Sequence, residues 1–557
     1  MNETSRDHAR GRLQAGARIG RRIVAGLLAC AATLPACESA RDKHGGWRFE
    51  DGTFRTIEPL DLASVETAPP RPIDEAEIAA NEEAAIVRRP FPERLELPID
   101  EIRAAALAHN LELRAELVRP AIAAVDVAAE EAKFEATIVA GYQRNDAGLA
   151  TNLETGTALS QDQFDLGVEV PLATGGTISV GSPLFRADQQ LGGPFGDELW
   201  TAQLEFSIRQ PLLRGGWFDA NMHSIRVARY EGQRVEAATK LAAIRVLSAA
   251  DRAYWNLYAA WGELEVRRAQ YDLALRQLEA ARRRVSAGDA PEIEVVRAES
   301  GVGRTVESII VADSRLRQAQ RALKRLLNRP DLPVESPTGI VPATPPAPVE
   351  LSLDDGTLAD RAVRNRMEML ELELQLAIDA STISLRRNQA LPAFAFDYTY
   401  AFEGLSGNAG GAYGNLFDGD FYQLGLSAEV PIGNEVAENR LRASILQRVQ
   451  RLATREDRRQ SIRVEVLDSL DQIRQSWQRI LAARLEVVLA TRTLEGEQRQ
   501  FEVGLRTSTD VLDASAQLAD ACSREVRALA DWQIALVDLA FATGTTLGGA
   551  RVGFDEG

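Results

Sequence analysis

Four histidines and three cysteines in 557 residues leave little material for a zinc centre, a disulfide framework or a histidine-based triad. Basic residues number 64 against 81 acidic ones, a formal net charge of −17. That balance argues against a nucleic-acid binder, which would need a basic stripe, and disfavours tight adhesion to an anionic membrane surface. Aromatic residues are only 6% of the chain, so a core must be built mainly from Ala, Leu, Val and Ile. Such a core suits long, slim helices better than a thick globule. Beyond the N-terminus, no segment has the roughly 20 apolar residues of a membrane helix. A chain of this composition that crosses a membrane must do so with strands.

The N-terminus reads as an export address. Arg18, Arg21 and Arg22 precede the apolar run Ile23–Thr33, too short to span a bilayer but suited to the core of a signal peptide. Leu34-Pro35-Ala36-Cys37 resembles a bacterial lipobox, with Cys37 as the lipidated first residue of the mature chain. Residues 1–36 are thus the signal peptide. Residues 37–94, charged and interrupted by Pro69-Pro70-Arg71-Pro72, form an extended lead-in.

The remainder reads as a duplication. Asn110-Leu111-Glu112-Leu113 and the run to Tyr142 parallel Asn365-Arg366-Met367-Glu368 and the run to Tyr398. Pro211 parallels Pro431, and Gly288 parallels Gly504. The order of elements is the same in both copies, which predicts repeats over 95–328 and 351–545. A Pro-rich connector, 329–350, joins them, and 546–557 is a tail. Each repeat predicts a helix, strands, a very long helix and a second helix. The long helices are expected over about 218–287 and 436–503, roughly 100 Å each at 1.5 Å per residue. Ile244, Leu247, Ala250, Tyr254, Leu257 and Trp261 recur at spacings of three and four, as in helices packed side by side.

Between the helices the period changes to two. Trp200, Ala202, Leu204, Phe206 and Ile208 alternate with Thr201, Gln203, Glu205, Ser207 and Arg209. Phe394 to Phe402, Tyr422 to Val430, Phe134–Tyr142 and Phe164–Leu172 alternate in the same way. Runs of about 9–11 residues with one apolar and one polar face are what a lipid-embedded barrel around water requires. Thr174-Gly175-Gly176 predicts an added hairpin over 164–185 in the first repeat, giving four to six strands per chain. The smallest single-chain membrane barrels use about eight strands, so several copies must pool theirs. An open edge in lipid would leave backbone groups without partners.

Three segments carry a resemblance to a known family: Gln210-Pro211-Leu212-Leu213-Arg214-Gly215-Gly216, Val430-Pro431-Ile432, and Phe501-Glu502-Val503-Gly504-Leu505-Arg506-Thr507-Ser508-Thr509-Asp510-Val511-Leu512-Asp513-Ala514. With the duplication they resemble the TolC-like outer membrane efflux proteins over nearly all of residues 95–545. The resemblance implies a mixed α and β fold. Very long antiparallel helices form an α-barrel in the periplasm, and transmembrane strands complete a β-barrel only as a homotrimer in outer-membrane lipid. It implies an exit duct that meets a periplasmic adaptor and an inner-membrane transporter, with no catalysis, no cofactor and no nucleic-acid partner.

The same resemblance assigns residues. Asp510 and Asp513 stand where the family rings its periplasmic entrance with paired acids; three apart, they share a helix face, and a ring of carboxylates favours cations. Phe501 and Arg506 match the aromatic and basic residues that latch the closed tip. Ile293 and Glu294 stand at the partner positions, with Glu294–Arg506 as the expected ion pair. Gly288 and Gly504 are expected to turn the helical hairpins in the left-handed conformation and to lie where adaptor hairpins bind. The competing reading is a lipid-anchored periplasmic coiled-coil protein without a pore, which accounts for the helices and leaves the strands unexplained.

Overall fold

The computed structural model describes residues 91–148, 158–193 and 196–549; Cys37, the signal peptide and most of the lead-in lie outside the described residues. The described chain opens with a short strand β1 (Arg94–Leu97) and helices α1 (Ile99–His109), α2 (Leu111–Glu116) and α3 (Arg119–Glu131). A sheet follows, and then a four-residue helix α4 (Phe218–Asn221), the long helix α5 (His223–Ser286) and α6 (Ile293–Leu327). The connector contributes β7 (Gly339–Pro342). The second repeat runs α7 (Asp355–Asn365), α8 (Met367–Gln389), strands, α10 (Glu435–Glu502) and α11 (Ser508–Ala542), closed by α12 (Thr546–Gly549). The long helix expected from residue 218 begins at 223, because Met222 lies outside the helical region at φ −86°, ψ 4°.

At 64 and 68 residues, α5 and α10 are each about 100 Å long. Neither contains a proline or a left-handed residue that would break it. α5 packs against α6 and α11 along one part of its length and against α8 and α3 along another. Leu247, Ala250, Tyr254, Leu257 and Leu264 are fully buried there, and the last four belong to one apolar cluster with α1, α6 and both short strands. Charge crosses the same core: Arg103 holds Asp251 through two bonds of 2.8 and 2.9 Å.

The Pro-rich connector is tied to the middle of this bundle. β7 pairs in parallel with β1, Leu95 opposite Ile340. The Gln320 amide completes β7, donating to the Ile340 carbonyl at 2.7 Å and accepting from its N–H at 2.8 Å. The Trp261 indole donates to the same carbonyl at 2.7 Å. A buried backbone segment needs such partners, and side chains supply them here.

One antiparallel sheet holds the other strands: β2 (Thr137–Gly148), β3 (Ala158–Pro171), β4 (Thr177–Gly181), β5 (Leu184–Gly193), β6 (Gly196–Pro211), β8 (Ala393–Ser406) and β9 (Gly419–Glu429). A short helix α9 (Ala409–Gly414) lies between β8 and β9. β4 and β5 are successive parts of one lane. Both lie between β3 and β6, and the β3 register is identical on either side of the break at Ser182-Pro183. Backbone bonds bridge the break, from the Ser182 N–H to the Leu166 carbonyl (2.7 Å) and from the Gln203 N–H to the Pro183 carbonyl (2.9 Å). Proline lacks a donor, which is why the ladder pauses there. Among the described residues the sheet therefore has six lanes in the order β2, β3, β4/β5, β6, β8, β9.

Its two faces differ as the alternation predicts. One cross-strand row reads Ile138, Val168, Val180, Phe206, Tyr400, Tyr422. Displaced by one residue, the opposite face reads Thr137, Glu169, Ser179, Ser207, Thr399, Gln423. Ile138, Leu166, Tyr422, Leu424 and Leu426 are more than half exposed, so the apolar face is uncovered within one chain. Among the described residues, the outer edges of β2 and β9 have no strand partner.

Candidate functional site

The chain reverses at two helical hairpins remote in sequence from the sheet, and there the family-assigned residues meet. α5 ends at Gly288 (φ 81°) and α10 near Gly504 (φ 82°). In the first turn the Asp289 N–H reaches the Arg284 carbonyl at 2.9 Å; in the second the Leu505 N–H reaches that of Gln500 at 2.9 Å. These are Schellman closures, and a left-handed residue at C′ is what they require. The left-handed conformation expected of both glycines is present.

α11 then begins with a capping box. The Asp510 carboxylate accepts from the Thr507 N–H and hydroxyl, each at 2.9 Å, while Thr507 caps the Asp510 N–H. These bonds, the Thr507 N–H first, hold the Asp510 carboxyl below the usual carboxylate range. Asp510 is thus half-buried and engaged in its own helix start, whereas Asp513, one turn along, is exposed. The two acids share a face of α11, but only Asp513 is free of local structural work.

The expected Glu294–Arg506 pair is not formed within the chain. Glu294 instead accepts from the Ser508 N–H at 2.9 Å and pairs with Arg297 at 2.7 Å. Burial pushes its carboxyl up, but the Ser508 bonds and Arg297 outweigh burial and leave it below the usual range. The physical reason is local: the N-terminus of α11 offers unpaired N–H groups and the positive end of a helix dipole, and Arg297 lies three residues along the same helix. Glu294 therefore stitches α6 to the start of α11. Arg506 turns to its own hairpin, bonding Gln500 at 3.1 Å and Glu497 at 3.2 Å.

Phe501 is buried rather than poised at a surface. It packs with Leu494, Val511 and Ala514, flanked by Leu273 and Ala280 of α5. The Arg284 guanidinium lies 4.8 Å from its ring centre and also donates to its carbonyl at 2.8 Å. The sequence does not single out Arg284. It is one of three consecutive arginines, and nothing in that run distinguishes the one that clamps α10 from those that face water. A second unforeseen feature is Gly301, where a Cβ would stand 2.5 Å from Leu512; a bare backbone lets α6 approach the first turn of α11. At the hairpins themselves Ile293, Val503 and Leu505 are at least half exposed, an apolar surface at the end of a charged bundle.

No helix among the described residues is long and apolar enough to cross a membrane.

Comparison with known proteins places this architecture. Residues 358–545 match the family model for outer membrane efflux protein. The chain is 24% identical over 374 residues to outer membrane protein TolC of Vibrio cholerae serotype O1, covering 66% of this chain and 81% of that protein. Among solved structures it superposes on CusC, studied for transmembrane channel formation, with TM-score 0.60 and 15% identity over 80% of this chain and 92% of that one. It superposes equally on the CmeC outer membrane channel of Campylobacter jejuni, with TM-score 0.60 and 13% identity over 80% and 86% of the two chains. With its second repeat matched by that model and a TolC relative at 24% identity, the chain is similar to the outer membrane efflux proteins, and over four fifths of its length it has the fold of the solved channels.

Proposed function

We propose that this outer-membrane efflux channel works as a trimer in which β9 of each copy pairs with β2 of the next. The three sheets then close one water-filled barrel in the lipid, and the long helices continue it as a hollow cylinder through the periplasm. The observation that carries this reading is the sheet, apolar on one face and polar on the other, with both edges open among the described residues. β2 and β9 run in opposite directions, so joining them keeps the ladder antiparallel all the way round. Bare edges in hydrocarbon would cost several kcal/mol per unmet group.

The duct serves a tripartite system. Its periplasmic end meets an adaptor at the Gly288 and Gly504 hairpins, where exposed Ile293, Val503 and Leu505 supply apolar contact, and through the adaptor an inner-membrane transporter that supplies the energy. Cys37 anchors the mature N-terminus to lipid. The entrance is lined by Asp513, with Asp510 behind it, giving six carboxylates around the axis of three copies. Phe501 against α5 and Glu294 against the start of α11 hold the hairpins closed, while Arg506 braces its own turn through Gln500 and Glu497. Such a ring attracts cations and is blocked by divalent ones. The test is single-channel recording in planar bilayers. Asp510→Ala with Asp513→Ala is expected to abolish cation preference and divalent block. Unchanged selectivity would remove these acids from the gate and leave the duct itself standing.

A further inference from the structure

The two repeats do not contribute equally to the sheet. In the second, one strand leaves the helices and one returns, β8 and β9. In the first, β2 leaves and β6 returns, but β3 and the β4/β5 lane are inserted between them. An insertion of this kind can dangle outside a barrel wall, lie across its mouth, or become part of the wall.

Three independent observations choose the wall. The inserted lanes are continuous with their neighbours on both sides: Ile138 faces Val168, Val168 faces Val180, and Val180 faces Phe206. β6 has β4/β5 on one edge and β8 on the other, so nothing of the insertion lies over a face of the sheet. Second, the inner part of the inserted lanes, β3 from Phe164 inward and β4, carries the two-faced pattern in phase with the rest, whereas farther out the same face holds Asp162 paired with Arg186 at 3.6 Å. Leu166, Val168, Ile178 and Val180 lie on the apolar face, all exposed by more than a third. Glu169, Ser179 and Thr177 lie on the polar one, where the Ser179 and Ser207 hydroxyls bond across the junction with β6.

Third, the inner turn of the insertion is seated against the point where β6 enters the helices. The Trp217 N–H donates to the Thr174 carbonyl at 2.8 Å, and the Thr174 hydroxyl donates to the Gln210 side chain at 2.8 Å. The approach is so close that a Cβ on Gly175 would stand 2.1 Å from the Gly215 carbonyl oxygen. A loosely attached hairpin has no need of such a fit.

We infer that the inserted hairpin is part of the membrane wall, so that three copies build a barrel of eighteen strands where the bare duplication would build twelve. The inference rests on the trimeric reading above and extends it. Because each copy adds an even number of lanes, the closing β9–β2 junction stays antiparallel, and the insertion widens the ring without breaking its alternation. Barrel diameter grows about linearly with strand number, so the outer exit is about one and a half times as wide as the duplication alone would make it. Barrels of about 16–18 strands leave an open aqueous channel. The membrane exit of this duct therefore admits bulkier cargo than a twelve-stranded exit, and any size selection falls to the helical tip.

Electron cryomicroscopy of the full chain in lipid nanodiscs tests this directly. The expected result is eighteen strands around one lumen. Deleting residues 158–193, which leaves β2 outbound and β6 inbound, is expected to give twelve strands and a barrel narrower by about a third. A full-length trimer with twelve wall strands and the hairpin outside the lipid band overturns the inference. An assembly with six lanes per copy but a copy number other than three overturns the trimeric reading alone. Should the deletion variant not assemble, labelling of the intact length decides. Val180→Cys is expected to react only with a lipid-soluble maleimide and Ser179→Cys only with a water-soluble one. Reaction of Val180→Cys from water removes the hairpin from the wall.

Discussion

The two long helices are nearly equal in length and opposite in what surrounds them. α5 buries 23 of its 64 residues, among them Tyr254, Trp255 and Trp261; α10 buries 10 of its 68. α5 has helices on several sides and forms the core of one copy. α10 is packed by α11, α8 and α7, and much of its remaining surface is bare. That surface is not merely solvated: Leu446, Val449, Val464, Leu467, Leu481, Leu485 and Val488 are all more than a third exposed. An apolar stripe at helical spacing on the edge of a helical layer matches the open strand edges of the sheet. Both say that a single copy is incomplete, and that the second repeat carries more of the unfinished surface than the first.

The comparison can be broken from either side. The largest effect is expected on α10: Leu481→Lys, Leu485→Lys and Val488→Lys together put three charges into the stripe and should abolish the oligomer. Sedimentation in detergent reads this, while circular dichroism should still show the helices of each copy. Retention of the oligomer would mean the stripe faces elsewhere. The converse change is Leu257→Ala in α5, at a fully buried site. It should cost about 2–5 kcal/mol of stability by thermal unfolding and leave assembly at low temperature intact. A smaller loss, about 1–2 kcal/mol, is expected from Gly504→Ala, which puts a Cβ into the left-handed region; no loss would mean the hairpin relaxes to another turn.

The smallest effect sharpens the role of Asp510. Asp510→Ala should cost about 1 kcal/mol through loss of the cap. Because the folded carboxyl titrates below its ordinary value of 3.8, the carboxylate is favoured in the folded tip. Its contribution is full above that value and is lost as pH falls through the lowered one. Protection of the Thr507 and Asp510 N–H groups, corrected for the intrinsic pH dependence of exchange, should therefore fall below about pH 4 in the native chain. The fall should be smaller in the variant, where only Glu294 still caps the turn. An unchanged native profile would remove the cap from the account.

Much of this architecture is legible in the amino-acid sequence. The period-two runs and the uninterrupted helical stretches show through because each element buries one face, and burial writes its period into the sequence. Gly288 and Gly504 are legible because helix closure demands a left-handed residue. The β4/β5 lane is harder to read, since Pro183 ordinarily argues against a strand, and only backbone bonds from its neighbours carry the ladder past it. The β1–β7 pairing joins four-residue strands some 245 positions apart, too short to carry a period. Resemblance assigns Glu294 to Arg506, but the nearer Arg297 and the bare N-terminus of α11 compete better for its charge. Arg284 cannot be picked from its neighbours, because what distinguishes it is the position of Phe501 on another helix.

Each copy of the chain is completed by its neighbours. Native mass measurement of the detergent-extracted protein tests that most directly. The account predicts a stable assembly of three chains that collapses to one only on heating, with loss of β signal at the same temperature. A monodisperse single chain retaining its full β signal in detergent would contradict it.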